Sequence, residues 1–202
     1  MKLNHSLLMR LSKKYVHDLR RSTYYKELTP AERAALEERL IVDVRDGSLP
    51  LLPGALEDDL DWFQDCAEAE LGVTVPPSWL EVLQEVDGFV ENGVTLYAID
   101  PWLYGDDDES TAGIIAETRA FWASYPNSDG RSVLLADSDL FYYAFEIAGS
   151  RFVALSRTTL EQVHQFESAA DLANGLLRQA LGDWSDEQEP ASELRPTLTD
   201  GN

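Results

Sequence analysis

Leu71 to Pro101 reads "LGVTVPPSWLEVLQEVDGFVENGVTLYAIDP", and this stretch decides the fold class. Gly72 supplies a helix stop. Pro76 and Pro77 cannot sit inside a helix but can start one. Trp79, Val82, Leu83 and Val86 then recur at i, i+3, i+4 and i+7, which makes one apolar helical face. Asp87-Gly88 ends that helix. Phe89-Val90, Glu91-Asn92-Gly93 and "VTLYAI" spell two extended runs about an Asn-Gly turn, the strongest short signal for a hairpin. Helix stop, helix and antiparallel hairpin follow each other without a crossover.

Outward from there the pattern persists. Toward the N-terminus, Leu56, Leu60, Phe63 and Leu71 predict a helix with an apolar face, and its other face carries a strongly acidic stripe. "SLPLLPG" (48–54) is a proline-marked link. Before it, Asn4 caps a first helix with Leu8, Leu11, Tyr15 and Leu19 on one stripe. Thr29-Pro30-Ala31-Glu32 is a capping box opening a second, with Leu36, Leu40, Ile41 and Val44, ended by Gly47. Toward the C-terminus a helix is expected over about 112–123. "SVLLAD" (132–137), "LFYYAFEI" (140–147) and "RFVALS" (151–156) then form an antiparallel meander, with "EQVHQFE" adding a last short strand. Ser168, with Asp171 three residues on, caps a closing helix that Gly182 stops. Strands cluster instead of alternating one for one with helices, so the expected class is α+β: one curved, mostly antiparallel sheet packed by helices, with an N-terminal helical pair. The expected organisation is a helical extension over 1–47, an α+β domain over 54–182, and an acidic tail over 183–202 whose composition predicts disorder.

Charge narrows the function. The chain carries 16 Lys/Arg against 37 Asp/Glu, a net −21, unevenly placed. Residues 1–40 hold nine bases and five acids, or +4; residues 41–202 hold seven and 32, or −25. Such a surface repels nucleic acid and anionic membrane and draws in a basic partner. The single cysteine, Cys66, rules out an intramolecular disulfide, and its acidic neighbourhood disfavours a reactive thiolate. With no run of about 18 apolar residues and an N-terminus interrupted by Asn4, His5 and Arg10, the expected location is the cytoplasm.

Catalytic signatures are missing: no phosphate-cradling or dinucleotide glycine motif, no GxSxG elbow, no HExxH. His5, His17 and His164 stand far apart. Asp106, Asp107, Asp108 and Glu109 invite a Ca²⁺ reading, and Asp137 with Asp139 a sugar-flanking pair, but the spacing fits neither well and a solvated acidic surface explains them better. No cofactor and no metal are expected. Trp102 and Tyr104 beside the acidic run, and Tyr142 after Asp137 and Asp139, instead suit an interface with aromatic anchors and a charged rim.

The same opening stretch resembles the core motif of the SUKH superfamily, the Smi/Knr-like proteins. The likeness rests on Leu71-Gly72, Val75-Pro76, Trp79-Leu80, Leu83, Asp87-Gly88, Gly93, Leu96-Tyr97 and Ile99-Asp100. "LLADSDLFYYAFEI" (134–147) and "VHQFESAADLANGLLRQAL" (163–181) resemble the following strand pair and the closing strand and helix, nearest to the YrhA-type branch. Val75 stands for the usual Leu, and Ala136 for a common Gly. The resemblance covers about 54–181 and implies a non-catalytic immunity protein. Such a protein binds a cognate toxin delivered by contact-dependent or type VI secretion routes, one to one, and occludes its active site. The charge favours a basic toxin directed at nucleic acid or nucleotides, such as a nuclease or ADP-ribosyltransferase. The expected partner-binding residues are Trp102, Tyr104, Asp106, Asp107, Asp108 and Glu109, with Asp137, Asp139 and Tyr142 as a second patch. A regulatory scaffold, as in eukaryotic members, is the alternative, and an acidic-loop enzyme a weaker one. The role of the basic N-terminal helices, a homodimer contact included, stays open.

Overall fold

A computed structural model describes residues 2–45, 47–99, 113–128 and 130–183. The fold is α+β: helices pack on one open, curved, six-stranded antiparallel sheet. The elements are α1 (His5–Arg21), α2 (Thr23–Glu27), α3 (Pro30–Arg45), α4 (Glu57–Leu71), α5 (Pro77–Glu85), β1 (Phe89–Glu91), β2 (Val94–Leu96), α6 (Ile114–Ser124), β3 (Ser132–Ser138), β4 (Phe141–Glu146), β5 (Arg151–Ser156), β6 (Gln162–Phe166) and α7 (Ala169–Ala180). Strand order follows chain order, β1 to β6. Among the described residues no helix is long and apolar enough to cross a membrane.

The local signals act where their chemistry places them. Gly72 closes α4 in the left-handed region at φ 67°, and Pro77 opens α5. Asn92 and Gly93 both take positive φ, 50° and 71°, so the β1–β2 turn has the twist that suits a two-residue hairpin. Thr29 and Glu32 bond reciprocally at the start of α3, the Thr29 amide donating to the Glu32 carboxylate at 2.8 Å. Ser168 accepts from the Asp171 amide at 3.1 Å and opens α7.

The core lies between the sheet and the helices. α7 crosses one face, burying Leu172, Ala173, Leu176 and Leu177 and packing against α1, α5 and β2, and its Gln179 side chain accepts from the Tyr143 hydroxyl at 3.0 Å. Trp79 of α5 reaches Phe152 on that face, their ring centres 6.1 Å apart. The opposite face takes α6, whose Thr118 hydroxyl accepts from the Leu134 amide at 3.0 Å. Both faces of β3 are therefore covered, and Val133 to Ala136 are all buried.

Several expectations are corrected. A short extra helix, α2, follows α1, capped by Ser22. The second hairpin strand ends at Leu96 instead of Ile99, although the Tyr97 amide still donates to the Leu135 carbonyl. The register shift between Leu134 and Ala136 bends the sheet at that point. Ile41, Val44 and Leu56 share helical spacing with buried residues but are 65%, 60% and 70% exposed; of α3 only Leu40 is buried.

Residues 2–45 are tied to the rest. Leu7, Leu8 and Leu11 of α1 belong to the same core as α7. Buried Asn174 accepts from the Asn4 amide at 2.7 Å and donates to the Lys2 carbonyl at 3.2 Å. The Ser12 hydroxyl donates to the Pro50 carbonyl at 2.7 Å. The tail expected over 183–202 lies outside the described residues from 184 onward.

Candidate functional site

Two sequence-selected residues meet at the β3–β4 end of the sheet. Asp137 of β3 pairs across the ladder with Tyr142 of β4, which puts both side chains on the α6 face. Arg157, just beyond β5, joins them. Its guanidinium donates to the Asp137 carboxylate at 3.0 Å and to the Ser138 carbonyl at 2.8 Å, and its carbon lies 4.6 Å from the centre of the Tyr142 ring. Tyr142 also packs against Phe121 at 5.1 Å, edge to face, and Tyr125 at 6.3 Å. Asp137 is thus a charge neutralised inside a cation–aromatic stack.

Electrostatics follow from that packing. Burial pushes the Tyr97 phenol well above its ordinary range, and Asp137 and Glu117 add to the shift. Burial works against the charge on Arg157, but Tyr142 and Asp137 outweigh it and raise its pKa. The Tyr142 hydroxyl raises the neighbouring Tyr125 phenol. The Tyr97 and Tyr125 phenols therefore stay neutral and Arg157 stays charged at physiological pH. The arrangement fixes the sheet end and offers a partly exposed guanidinium and phenol, a contact surface with fixed geometry.

Asp139 stands apart. It is exposed at the tip of the β3–β4 turn, over the β1–β2 turn: a Cβ added to Gly93 would come within 3.0 Å of its carboxylate. Trp102, Tyr104, Asp106, Asp107, Asp108 and Glu109 lie outside the described residues. Among the described residues no group of three or more His, Cys, Asp or Glu is placed to hold a metal ion. His5, His17 and His164 are exposed, and Cys66 is half-buried against the core.

Sequence reasoning missed two residues. Arg157 is twenty positions from Asp137 and enters only through strand pairing, so no local signal marks it. Trp62 was legible. It follows Leu60 by two residues, and at about 100° per residue it falls nearly opposite the buried Leu60–Phe63–Leu71 stripe, on the acidic side of α4. The structure leaves it 50% exposed.

No family model matches this chain, and no curated protein matches it either.

Proposed function

We propose that this chain is a cytoplasmic immunity protein that binds a cognate basic toxin domain one to one and neutralises it by covering its active site, without chemistry of its own. The observation that carries the proposal is the charge. From Ile41 onward the chain has a net −25, and three of the seven bases there are engaged internally: Arg119 pairs with Glu70, Arg151 with Glu146 and Arg157 with Asp137. The outward field is therefore acidic, which speeds and selects encounters with a basic surface. The resemblance over 71–99 adds support, because Gly72, Gly88 and Gly93 all sit at positive φ where the motif needs its turns.

The test is capture from the native lysate with the full chain, identification of the bound chain by mass, and titration of that chain's activity. An enzymatic or growth-arresting activity suppressed at one-to-one stoichiometry supports immunity. A bound chain whose activity is unaffected moves the assignment to a regulatory scaffold.

A further inference from the structure

The geometry points to the outer face of α4 as the docking surface for a basic protein partner, with Trp62 as its anchor. This rests on reading the chain as a binder of a basic protein and adds the surface, which neither the resemblance nor the charge total specifies.

Two independent features meet on this face. The first is apolar: Trp62 is 50% exposed. A face whose only task is solubility gains nothing from an exposed indole. Tryptophan is the residue most enriched among interface anchors, and a surrounding polar rim is its usual setting. The second is charge. α4 spans 15 residues with Glu57, Asp58, Asp59, Asp61, Asp65, Glu68 and Glu70 and no base. Asp58 and Asp65 lie one turn to either side of Trp62. Among the described residues Asp58, Asp59, Asp61 and Asp65 form no ion pair, whereas Glu70 is held by Arg119.

The like charges also load the helix itself. Asp58–Asp61, Asp61–Asp65 and Asp65–Glu68 are spaced i,i+3 or i,i+4, where like charges repel. Only the first turn gains from the helix dipole. Repulsion along the rest of the face is relieved when a partner lays Lys or Arg across it. The inner face leaves α4 no freedom to turn, since Leu60, Phe63, Ala67 and Leu71 are all buried. The outer face is thus presented rigidly, and a second copy of this chain's α4 is excluded by its own charge. The occupant is a surface with Lys or Arg around an apolar cleft that receives an indole.

Photocrosslinking in the cells that encode the protein tests this directly, with the full chain carrying Trp62→p-benzoylphenylalanine and, as a control, Val163→p-benzoylphenylalanine on exposed β6. A covalent adduct to one basic chain at position 62 and not at 163 is the expected result. That chain, purified, then binds Trp62→Ala about 30-fold more weakly, the loss typical of an interface anchor. The triple variant Asp58→Lys, Asp61→Lys, Asp65→Lys, which stays folded because these side chains touch no core, associates at least 10-fold more slowly at low salt. No adduct at 62, or a partner that binds Trp62→Ala within threefold of wild type, overturns the proposal. The two assignments fail separately. A basic chain crosslinked at 62 but not inhibited sinks immunity and keeps the surface, while an inhibited partner crosslinked only elsewhere does the reverse.

Discussion

Arg157 holds its guanidinium carbon 4.6 Å from the centre of the Tyr142 ring while one of its nitrogens bonds Asp137 at 3.0 Å. One cation therefore serves two neighbours that strand pairing has already placed opposite each other. Replacing Arg157 by Met keeps the aliphatic stem and removes the charge. Asp137, whose side chain is 22% exposed, is then left half-buried without its partner. The expected cost is about 1–2 kcal/mol in urea unfolding, and Asp137→Asn alone costs less because the guanidinium it leaves keeps the Ser138 carbonyl and the Tyr142 ring. A double variant that costs as much as the sum of the two singles would show that the pair does not couple.

Gly54 carries a packing constraint at the end of the proline-marked link. A Cβ there would fall 1.8 Å from the Gln84 carbonyl oxygen, which is main chain and cannot rotate away. The next amide, Ala55, donates to the Leu83 carbonyl at 2.9 Å, so the link and the end of α5 are locked together. Gly54→Ala is expected to lose about 3 kcal/mol or to fold only with α5 displaced. Gly47→Ala, with nothing within 4 Å of the added carbon, pays only for its left-handed φ of 83° and loses about 1 kcal/mol. Thermal melts of the two side by side separate steric from conformational cost.

The contrast between these glycines shows what the sequence makes legible. Gly72, the Asn92-Gly93 turn and the Ser168 cap are read from local chemistry because local backbone geometry alone demands those residues. Helical spacing finds a stripe but not the body it faces. That is why Ile41 and Val44 look like core in α3 and are exposed, while Leu40 on the same helix is buried. Register is also nonlocal: the irregularity between Leu134 and Ala136 in the β3–β4 pairing has no sequence mark. The Asp137–Tyr142–Arg157 group depends on it, since the strand pairing on the far side of that irregularity sets Asp137 opposite Tyr142.

α1 is expected to be indispensable. Its Leu8 and Leu11 are fully buried against the α7 side of the core, and Asn174 holds the segment ahead of it with two hydrogen bonds. Asn174 is 2% exposed, and Asn174→Ala removes its part-buried bonds to the Asn4 amide and the Lys2 carbonyl, which should cost about 1 kcal/mol. Leu8→Ala should cost about 2–5 kcal/mol by leaving a cavity. Amide exchange gives a second readout: Asn174→Ala should speed exchange in the first turn of α1 more than in β3. Equal acceleration in both would mean that α1 has no separate attachment through Asn174.

Glu37 should make the attachment of α3 pH-dependent. Arg20 donates to it twice, at 2.9 and 2.6 Å, and the Tyr25 hydroxyl once, at 2.6 Å. Arg20 first and Tyr25 second pull its carboxyl from an ordinary 4.5 down to about 2. A carboxyl depressed in the folded state adds stability above its unfolded value, and that contribution fades as pH falls from there through the folded value. The window is therefore about pH 4.5 to 2. The pair is half in solvent, so the contribution stays below about 1 kcal/mol and shrinks in salt. Wild type minus Glu37→Gln isolates it from the other carboxylates. The difference in stability should be constant from pH 7 to about 5 and close toward zero near pH 2. A difference that vanishes already at pH 5, or persists unchanged at pH 2, would mean that Arg20 and Tyr25 do not hold Glu37 in solution as they do in the fold.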